Sequence, residues 1–400
     1  MNPIIGLAAL AFAYLLSMFY RTALAVIARM VAVDLNLDQA QLGALSSAWF
    51  IAFAAMQIPV GVLLDRYGPR RTVSGLMGVA VVGAIVFATA TTRTSAIAGQ
   101  ALIGIGCSPI FMGSLHAVSH WFARERFASL SSLVLAFATV GVLLSARPFG
   151  QLAEWIGWRY AYLIIAAATL AALLAVLFLS RGRQGDVTDH AAASSWRSAF
   201  GGVGVVLRIR ALWLILPLSF AGYASLITVR GLWAGPYLQD VFDLSIGEAG
   251  NWLFAFTLAM TAGTLLYGAL EKRWRRRKHL LQFGSWGTAA GLAVLALWPG
   301  SSLLVTGAGF ALIAFFGATY VLLMAQGKRY LPDHLVGRGL AGLNFVSFTG
   351  AGILQAATGA VAQSTLDAGA TMAASYGALF GLMAGLLAVA TAIHSLSRDD

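Results

Sequence analysis

The segment GVLLDRYGPRR, residues 61–71, decides the fold of this chain. It contains one carboxylate and three arginines, but the sequence on both sides of it is apolar over long stretches. The flanking stretches, 42–64 and 73–91, are each about the length needed to cross the hydrocarbon layer of a membrane. A short charged loop between two such stretches predicts a pair of transmembrane helices joined at the membrane surface.

Composition extends this interpretation to the whole chain. Of 400 residues, 59% are hydrophobic and 10% are charged, whereas soluble domains carry about 25% charged residues. The apolar residues come in blocks of about twenty, enough to span a hydrocarbon layer roughly 30 Å thick. We therefore predict an all-α membrane protein with twelve transmembrane helices, at residues 4–30, 42–64, 73–91, 95–118, 128–150, 159–180, 211–236, 250–270, 279–298, 302–325, 339–362 and 372–396.

The positions of the basic residues predict the orientation and the domains. Most lysines and arginines fall in loops on one face, which the positive-inside rule assigns to the cytoplasm. We expect both termini in the cytoplasm and the chain in the cell inner (plasma) membrane. The net charge of +11 then reflects topology, and no nucleic-acid partner is expected. A polar stretch, 181–210, is predicted to link an N-terminal six-helix bundle (1–180) to a C-terminal six-helix bundle (211–400).

The two halves repeat at the level of single residues. In each half an arginine precedes a loop glycine by 22 or 20 residues, and an acidic residue follows that glycine after 22 or 21. Internal symmetry of this kind is typical of carriers whose two bundles rock around a substrate site near the membrane midplane. The matching residues are Arg21, Gly43 and Asp65 in the first half, and Arg230, Gly250 and Glu271 in the second.

Segment 61–71 resembles the loop motif between helices two and three of the major facilitator superfamily. The shared pattern is Gly, three residues, Asp-Arg, one residue, Gly, then basic residues. Residues 121–126 before helix five and 157–159 at the start of helix six resemble two further features of the family. The resemblance covers essentially the whole chain and implies two six-helix bundles related by pseudo-two-fold symmetry.

The resemblance also implies a gate. In the family the aspartate faces a helix N-terminus of the other half, where the helix dipole favours a carboxylate, and the arginines bind carboxylates and carbonyls at the same seam. A positive-inside loop alone would explain the last two arginines but not the aspartate or the glycines. The copy in the second half has Trp274 in the place of the second glycine, so its turn is expected to differ. The predicted gating residues are Gly61, Asp65, Arg66, Gly68, Arg70 and Arg71.

Two arginines lie deep in predicted helices, although an arginine in lipid costs at least ~2.5 kcal/mol. Arg21 in helix one and Arg230 in helix seven are symmetry mates, and two guanidinium groups at one cavity repel each other unless an anion lies between them. We therefore expect them to bind a carboxylate or phosphate bidentately. Residues 20–28 also resemble helix one of organophosphate exchangers and anion–cation symporters, which use one arginine on each of these two helices. Helix five here lacks the histidine of those exchangers, which argues against phosphate esters and leaves carboxylates open.

Weaker candidates complete the predicted substrate site. Arg147 is either a ligand or a structural partner of Glu154. The other membrane arginines also have structural alternatives: a helix-end residue whose charge reaches the lipid headgroups, or a partner of Glu154 or Asp240. A proline and a glycine just after Arg147 predict a bend in helix five. A histidine in helix four is either a proton carrier or a contact between helices. These weaker candidates are Arg147, Tyr20, His116 and Tyr223.

The positions of the acidic residues reduce the number of possible functions. All 15 Asp and Glu fall in loops, tails or helix ends, so a proton relay of mid-membrane carboxylates is excluded and a cationic-drug exporter is disfavoured. We expect a secondary transporter that carries a small organic anion by alternating access, either as an antiporter or as a proton symporter. The alternatives are a proton-coupled exporter of drugs or metabolites and a transport-inactive membrane sensor.

The sequence shows no motif for catalysis, nucleotide binding or metal binding. Neither a nucleophile–base arrangement, a phosphate-binding loop nor a metal-ligand cluster is evident, and the single cysteine, Cys107, rules out an internal disulfide. We expect no enzymatic activity, no cofactor, no metal site and no catalytic residues. The expected partners are a small anionic solute and the lipid bilayer, and the chain is expected to be a monomer.

Overall fold

The computed structural model describes residues 3–180, 209–274, 276–331 and 336–397. Regular structure in these ranges is helical, as the composition predicts. Residues 181–208 of the predicted linker lie outside the described residues. The α-helices are α1 Pro3–Asp34, α2 Gln39–Ala55, α3 Gln57–Ala88, α4 Arg93–Cys107, α5 Ile110–Trp121, α6 Phe127–Leu144, α7 Arg147–Ile156, α8 Trp158–Leu179, α9 Arg210–Trp213, α10 Leu216–Thr228, α11 Ala234–Val241, α12 Ile246–Trp274, α13 Arg277–Leu297, α14 Leu303–Phe316, α15 Tyr320–Arg329, α16 Val336–Asp367 and α17 Met372–Ser395.

Helices occupy all twelve predicted transmembrane positions. Within the described ranges, nine helices or helix pairs are long and apolar enough to cross a membrane, and the bent pair α6–α7 makes a tenth. The second position is shared between α2, which has 17 residues, and the start of α3. The seventh position is divided into α10, a π-helical turn at Val229–Trp233 and α11. The protein is therefore a multi-pass, all-α membrane protein.

Proline explains two of the breaks inside the predicted spans. α5 starts directly after Pro109, and α7 has Pro148 in its first turn. Proline lacks the N–H that the preceding turn would bond, so it starts helices more readily than it continues them. The axis bends by 42° between α6 and α7, which confirms the bend predicted in helix five.

The described residues form two compact units. The first, here the N unit, contains residues up to Leu24 and from Ala48 to Ser180. The second, the C unit, contains Ala25–Ser47 together with the described residues from Ile209 onward. The ends of the first two predicted helices therefore pack with the second half of the sequence. The predicted boundaries, 1–180 and 211–400, remain a prediction.

Each unit has its own apolar interior. In the N unit, buried Leu10 and Leu16 of α1 belong to one cluster with Met77 of α3, Val118 of α5 and Val176 of α8. In a membrane, close approach of helices rather than the hydrophobic effect drives such packing, so small residues at the contacts matter. In the C unit, a methyl group on Gly235 would lie only 1.9 Å from the Ala25 carbonyl oxygen. Helix α11 can approach α1 this closely only because that residue is glycine.

Candidate functional site

The charged segment 61–71 joins two helical stretches of α3 through a sharp break at Gly68. α3 runs from Gln57 to Ala88, and only Gly68 leaves the helical conformation, with φ 73° and ψ 170°. That region of backbone space is essentially restricted to glycine. Pro69 follows at once and restarts the helix. The second glycine of the motif is therefore required by the backbone.

The side chains around this break bind within the N unit. Arg70 donates from Nε to the Leu177 carbonyl oxygen at 2.7 Å, and the Thr72 hydroxyl donates to the Leu63 carbonyl at 2.9 Å. Arg70 thus ties α3 to the end of α8, and Thr72 bridges the break. The predicted gating residues Asp65, Arg66 and Arg71 are exposed. A methyl group built on Gly61 meets no atom of the described residues within 4 Å.

Arg21 lies against an aromatic wall in the N unit. Its guanidinium carbon is 5.4 Å from the ring centre of Trp49 and 5.3 Å from that of Phe53. These two rings stack at 5.0 Å with an interplanar angle of 13°. A guanidinium this close to aromatic rings gains cation–π attraction. Sequence reasoning missed both aromatic residues, because the membrane helices contain aromatic side chains throughout.

The neighbours of Arg21 on α1 are fixed by hydrogen bonds on both sides. The Tyr20 hydroxyl lies 3.0 Å from the Thr169 hydroxyl, and the Thr22 hydroxyl lies 2.7 Å from the Ser145 hydroxyl. Both pairs are buried, so they set the rotation of α1 about its axis within the N unit. Tyr20, a predicted ligand, is therefore engaged with α8.

Arg230 is buried in the C unit. Its side chain has 0% exposure, and it lies in the π-helical turn Val229–Trp233. Nε donates to the Thr257 hydroxyl at 3.0 Å, and that hydroxyl donates to the Leu253 carbonyl at 2.9 Å. Single π-helical turns within α-helices are frequent at functional sites. The sequence identified the arginine but not the turn or its threonine partner.

Asp240 forms an ion pair with Arg29 of α1. Arg29 Nε lies 3.4 Å from Asp240 Oδ1, and its Nη1 donates to the Gln239 carbonyl at 3.0 Å. The Tyr376 hydroxyl donates to Asp240 Oδ2 at 2.6 Å. Asp240 lies beyond the predicted span 211–236, and burial raises the pKa of its carboxyl above the usual value, against the opposing effects of Tyr376 and Arg29. These residues all belong to the C unit.

The acidic–basic segment of the second half forms its own ion pair. Arg277 Nε lies 2.5 Å from Glu271 Oε1, and both side chains are partly buried. The pair links the end of α12 to the start of α13. In this half one helix ends at Trp274 and the next begins at Arg277, whereas in the first half the helix breaks at Gly68 alone.

The remaining predicted ligands have different surroundings. Arg147 is exposed at the start of α7. The His116 ring stacks on His120 of its own helix, with ring centres 4.1 Å apart. The Tyr223 ring lies 4.8 Å from Tyr320, whose hydroxyl donates to the Asn344 side chain. Tyr223 therefore belongs to a polar aromatic group of the C unit.

Comparison with known proteins identifies the family. Residues 10–233, more than half of the chain, match the family model of the Major Facilitator Superfamily. A probable sulfoacetate transporter of Cupriavidus necator is 24% identical over 291 residues, which are 66% of this chain and 64% of that protein. The chain thus spans less than two thirds of that relative. A fosmidomycin resistance protein of Escherichia coli is 26% identical over 336 residues, 82% of this chain and 79% of that protein.

The fold agrees with this match. The crystal structure of a mutant of the nucleoside transporter NupG superimposes with a TM-score of 0.82, covering 98% of this chain and all of that one, at 14% identity. Identity this low supports the fold alone. The family model, the helical architecture and the charged segment 61–71 agree, and the chain belongs to the Major Facilitator Superfamily.

Proposed function

We propose that this chain is a secondary transporter that carries a small organic anion by alternating access, through exchange or proton symport. One observation carries the proposal: the Arg230 guanidinium is fully buried and donates to the neutral hydroxyl of Thr257. Removing a cation from water is costly unless an opposite charge and hydrogen bonds compensate. A guanidinium binds a carboxylate bidentately, so a substrate carboxylate is a ligand that suits this arginine.

The similarity to a probable sulfoacetate transporter also supports an anionic substrate.

Arg21 is proposed as the second arginine of the site. Its guanidinium carbon lies near the ring centres of Trp49 and Phe53. Stacking on a ring uses the π surface of the group, whereas its N–H edge is the part that binds a carboxylate. The aromatic wall would therefore hold the charge in place without competing for the substrate. Tyr20, Arg147, His116 and Tyr223 complete the proposed substrate site.

Counterflow in proteoliposomes tests the two arginines. Arg21→Ala and Arg230→Ala are each expected to abolish uptake of a labelled organic anion in exchange for the same anion inside. Arg277→Ala is the matched control, because it removes an arginine that pairs with Glu271 at a helix end. It should retain uptake. Uptake at the wild-type rate in both of the first two variants, with all proteins folded, refutes the proposal.

The second candidate function is export of drugs or metabolites by proton antiport. The fosmidomycin resistance relative, aligned over 79% of its own length, favours it. Overexpression in a drug-sensitive strain is the test. Broad resistance that Arg230→Ala leaves intact would favour export through a site that does not depend on the buried arginine.

Orientation and gating complete the proposal. Both termini are placed in the cytoplasm and the chain, as a monomer, in the inner membrane, without enzymatic activity, cofactor or nucleic-acid partner. Gly61, Asp65, Arg66, Gly68, Arg70 and Arg71 are the proposed gating residues. Reporter fusions at the C-terminus test the orientation, because a reporter active only in the cytoplasm should be active there.

A further inference from the structure

A buried amide in the C unit carries an inference of its own. Gln355 of α16 has 0% exposure, and neither Nε2 nor Oε1 has a hydrogen-bond partner among the described residues. A primary amide can make up to four hydrogen bonds, and burying it without them costs more than burying an apolar side chain of the same size. Unsatisfied groups of this kind are rare in native proteins, and one explanation is a functional role.

The register of two helices places Gln355 at the level of Arg230 along the membrane. α16 and the α10–α11 segment run in the same direction, because two contacts between them follow each other in the same order along both segments. The Ser219 hydroxyl lies 2.9 Å from the Ser347 hydroxyl, and further along Trp233 Nε1 donates to the Thr358 hydroxyl at 2.8 Å. Gln355 is three residues before Thr358, and Arg230 is three residues before Trp233. Both are therefore about one turn from the same contact.

Gln355 also lies on a face of α16 that packs closely against α2. A methyl group on Gly43 of α2 would lie 2.5 Å from the Gln355 carbonyl oxygen, and one on Gly359 would lie 2.6 Å from the Gln39 carbonyl oxygen. Gln355 and Gly359 are four residues apart and so share a helix face. The amide thus lies next to a tight glycine contact of the C unit, at the depth of its buried arginine.

The chemistry of the amide differs from that of the arginine. A guanidinium has only donors, and any anion can satisfy them. The amide oxygen is an acceptor and needs a donor, which nitrate, sulfate and unsubstituted carboxylates do not have. A hydroxyl next to the negative charge can accept from Nε2 and donate to Oε1. An anion that carries hydroxyl groups can therefore satisfy the arginine and the amide together.

We propose that Gln355 is a specificity-determining residue that contacts the substrate and selects hydroxylated organic anions over unsubstituted anions of the same charge. This inference rests on the proposed function, because it assigns Gln355 to the same anion site as Arg230. Sites that bond a substrate hydroxyl discriminate strongly against analogues that lack it, since the buried polar group is then left unsatisfied.

Gln355→Met is the test, because it keeps the length and flexibility of the side chain and removes both polar atoms. Thermal stabilisation of the purified protein is measured with two pairs of anions that differ only in hydroxyls, tartrate against succinate and glycerate against propionate. We expect wild type to prefer the hydroxylated member of at least one pair by about tenfold or more. The variant should lose this preference, and its melting temperature without ligand should equal or exceed that of wild type.

Gln326→Met is the matched control. Gln326 is a buried glutamine of the same unit, but its Oε1 lies 2.9 Å from His394 Nε2. Its replacement should lower the melting temperature and leave the anion preference unchanged. A Gln355→Met protein that keeps the wild-type preference overturns the inference, as does a wild type that binds both members of each pair equally. Failure of wild type to bind any of the four anions counts instead against the proposed function.

Discussion

Replacing Gly359 with alanine perturbs the contact between α16 and the start of α2. The new methyl group would lie 2.6 Å from the Gln39 carbonyl oxygen and 3.0 Å from the Gly43 Cα. Both are backbone atoms, so relief requires the helices to separate. Overpacking of this kind typically costs about 1–3 kcal/mol. Alanine also favours a helix more than glycine does, but this effect is the same whether or not the contact is formed. It therefore does not change the equilibrium between the state with the contact and the state without it.

The expected size of the effect follows from that cost. A difference of 1.4 kcal/mol is tenfold in an equilibrium constant, so loss of about 1–3 kcal/mol raises the separated fraction roughly 5- to 150-fold. If transport alternates between states with and without this contact, the variant should favour the state without it. Anion affinity and transport rate should change together with this population.

Cysteine labelling measures this population. Ser46 is 3% exposed and lies one turn beyond Gly43 on the same face of α2. Cys107, the native cysteine, is buried and is removed as Cys107→Ser. In the Ser46→Cys protein, Gly359→Ala should raise the rate of modification by a water-soluble maleimide in proportion to the separated fraction, provided that closing is faster than labelling.

Gly385 provides the control for this experiment. A methyl group there meets nothing within 4 Å among the described residues, so Gly385→Ala should leave the labelling rate unchanged. The reasoning is refuted if Gly359→Ala labels at the wild-type rate, or if both alanine variants raise the rate equally.

Two further predictions concern the charged segment and the ion pair. Gly68→Ala forces a side chain into a backbone conformation with φ 73° and ψ 170°, so we expect the protein to lose about 1–3 kcal/mol of stability and to melt at a lower temperature. The control is Gly61→Ala, which should melt near the wild-type temperature because nothing lies within 4 Å of the added methyl group among the described residues. Equal melting temperatures of the two variants would contradict the role assigned to Gly68. Burial raises the pKa of Asp240 above its ordinary 3.8, so the folded state takes up this proton more readily than the unfolded chain, and the resulting stability is fully present below pH 3.8 and lost as the pH rises through the raised pKa. The melting temperature of wild type relative to Asp240→Asn should therefore fall as the pH rises from about 4 to about 7, and a constant or rising difference would contradict the shift.

The sequence alone determined the class of the protein and indicated the family. These properties depend on composition and on the length of apolar blocks, which a bilayer constrains directly because it leaves no water to solvate the backbone. The charged segment 61–71 stands out for the same reason, since charges within the hydrocarbon layer are costly. Arg21 and Arg230 could be identified from sequence because an arginine in an apolar helix is an exception to that rule.

The surroundings of those residues depended on the tertiary structure. Trp49 and Phe53 are ordinary membrane-helix residues in the sequence, and only the packing of α1 against α2 brings them to Arg21. Arg29 is likewise 211 residues from Asp240 in sequence and next to it in space. Side-chain contacts between helices depend on rotation and register, and neither can be derived from an apolar block of a given length.

Gln355 shows the difference between the two sources of information. In the sequence it is one of several polar residues within helices, and most such residues bond a neighbouring helix. The tertiary structure shows that this amide is fully buried without a partner among the described residues, at the level of Arg230. The sequence determined that this chain places two arginines in its membrane helices, because their charge is out of place there. Only the tertiary structure decided which neutral groups stand beside them, because burial and hydrogen bonding arise from the packing of residues distant in the chain.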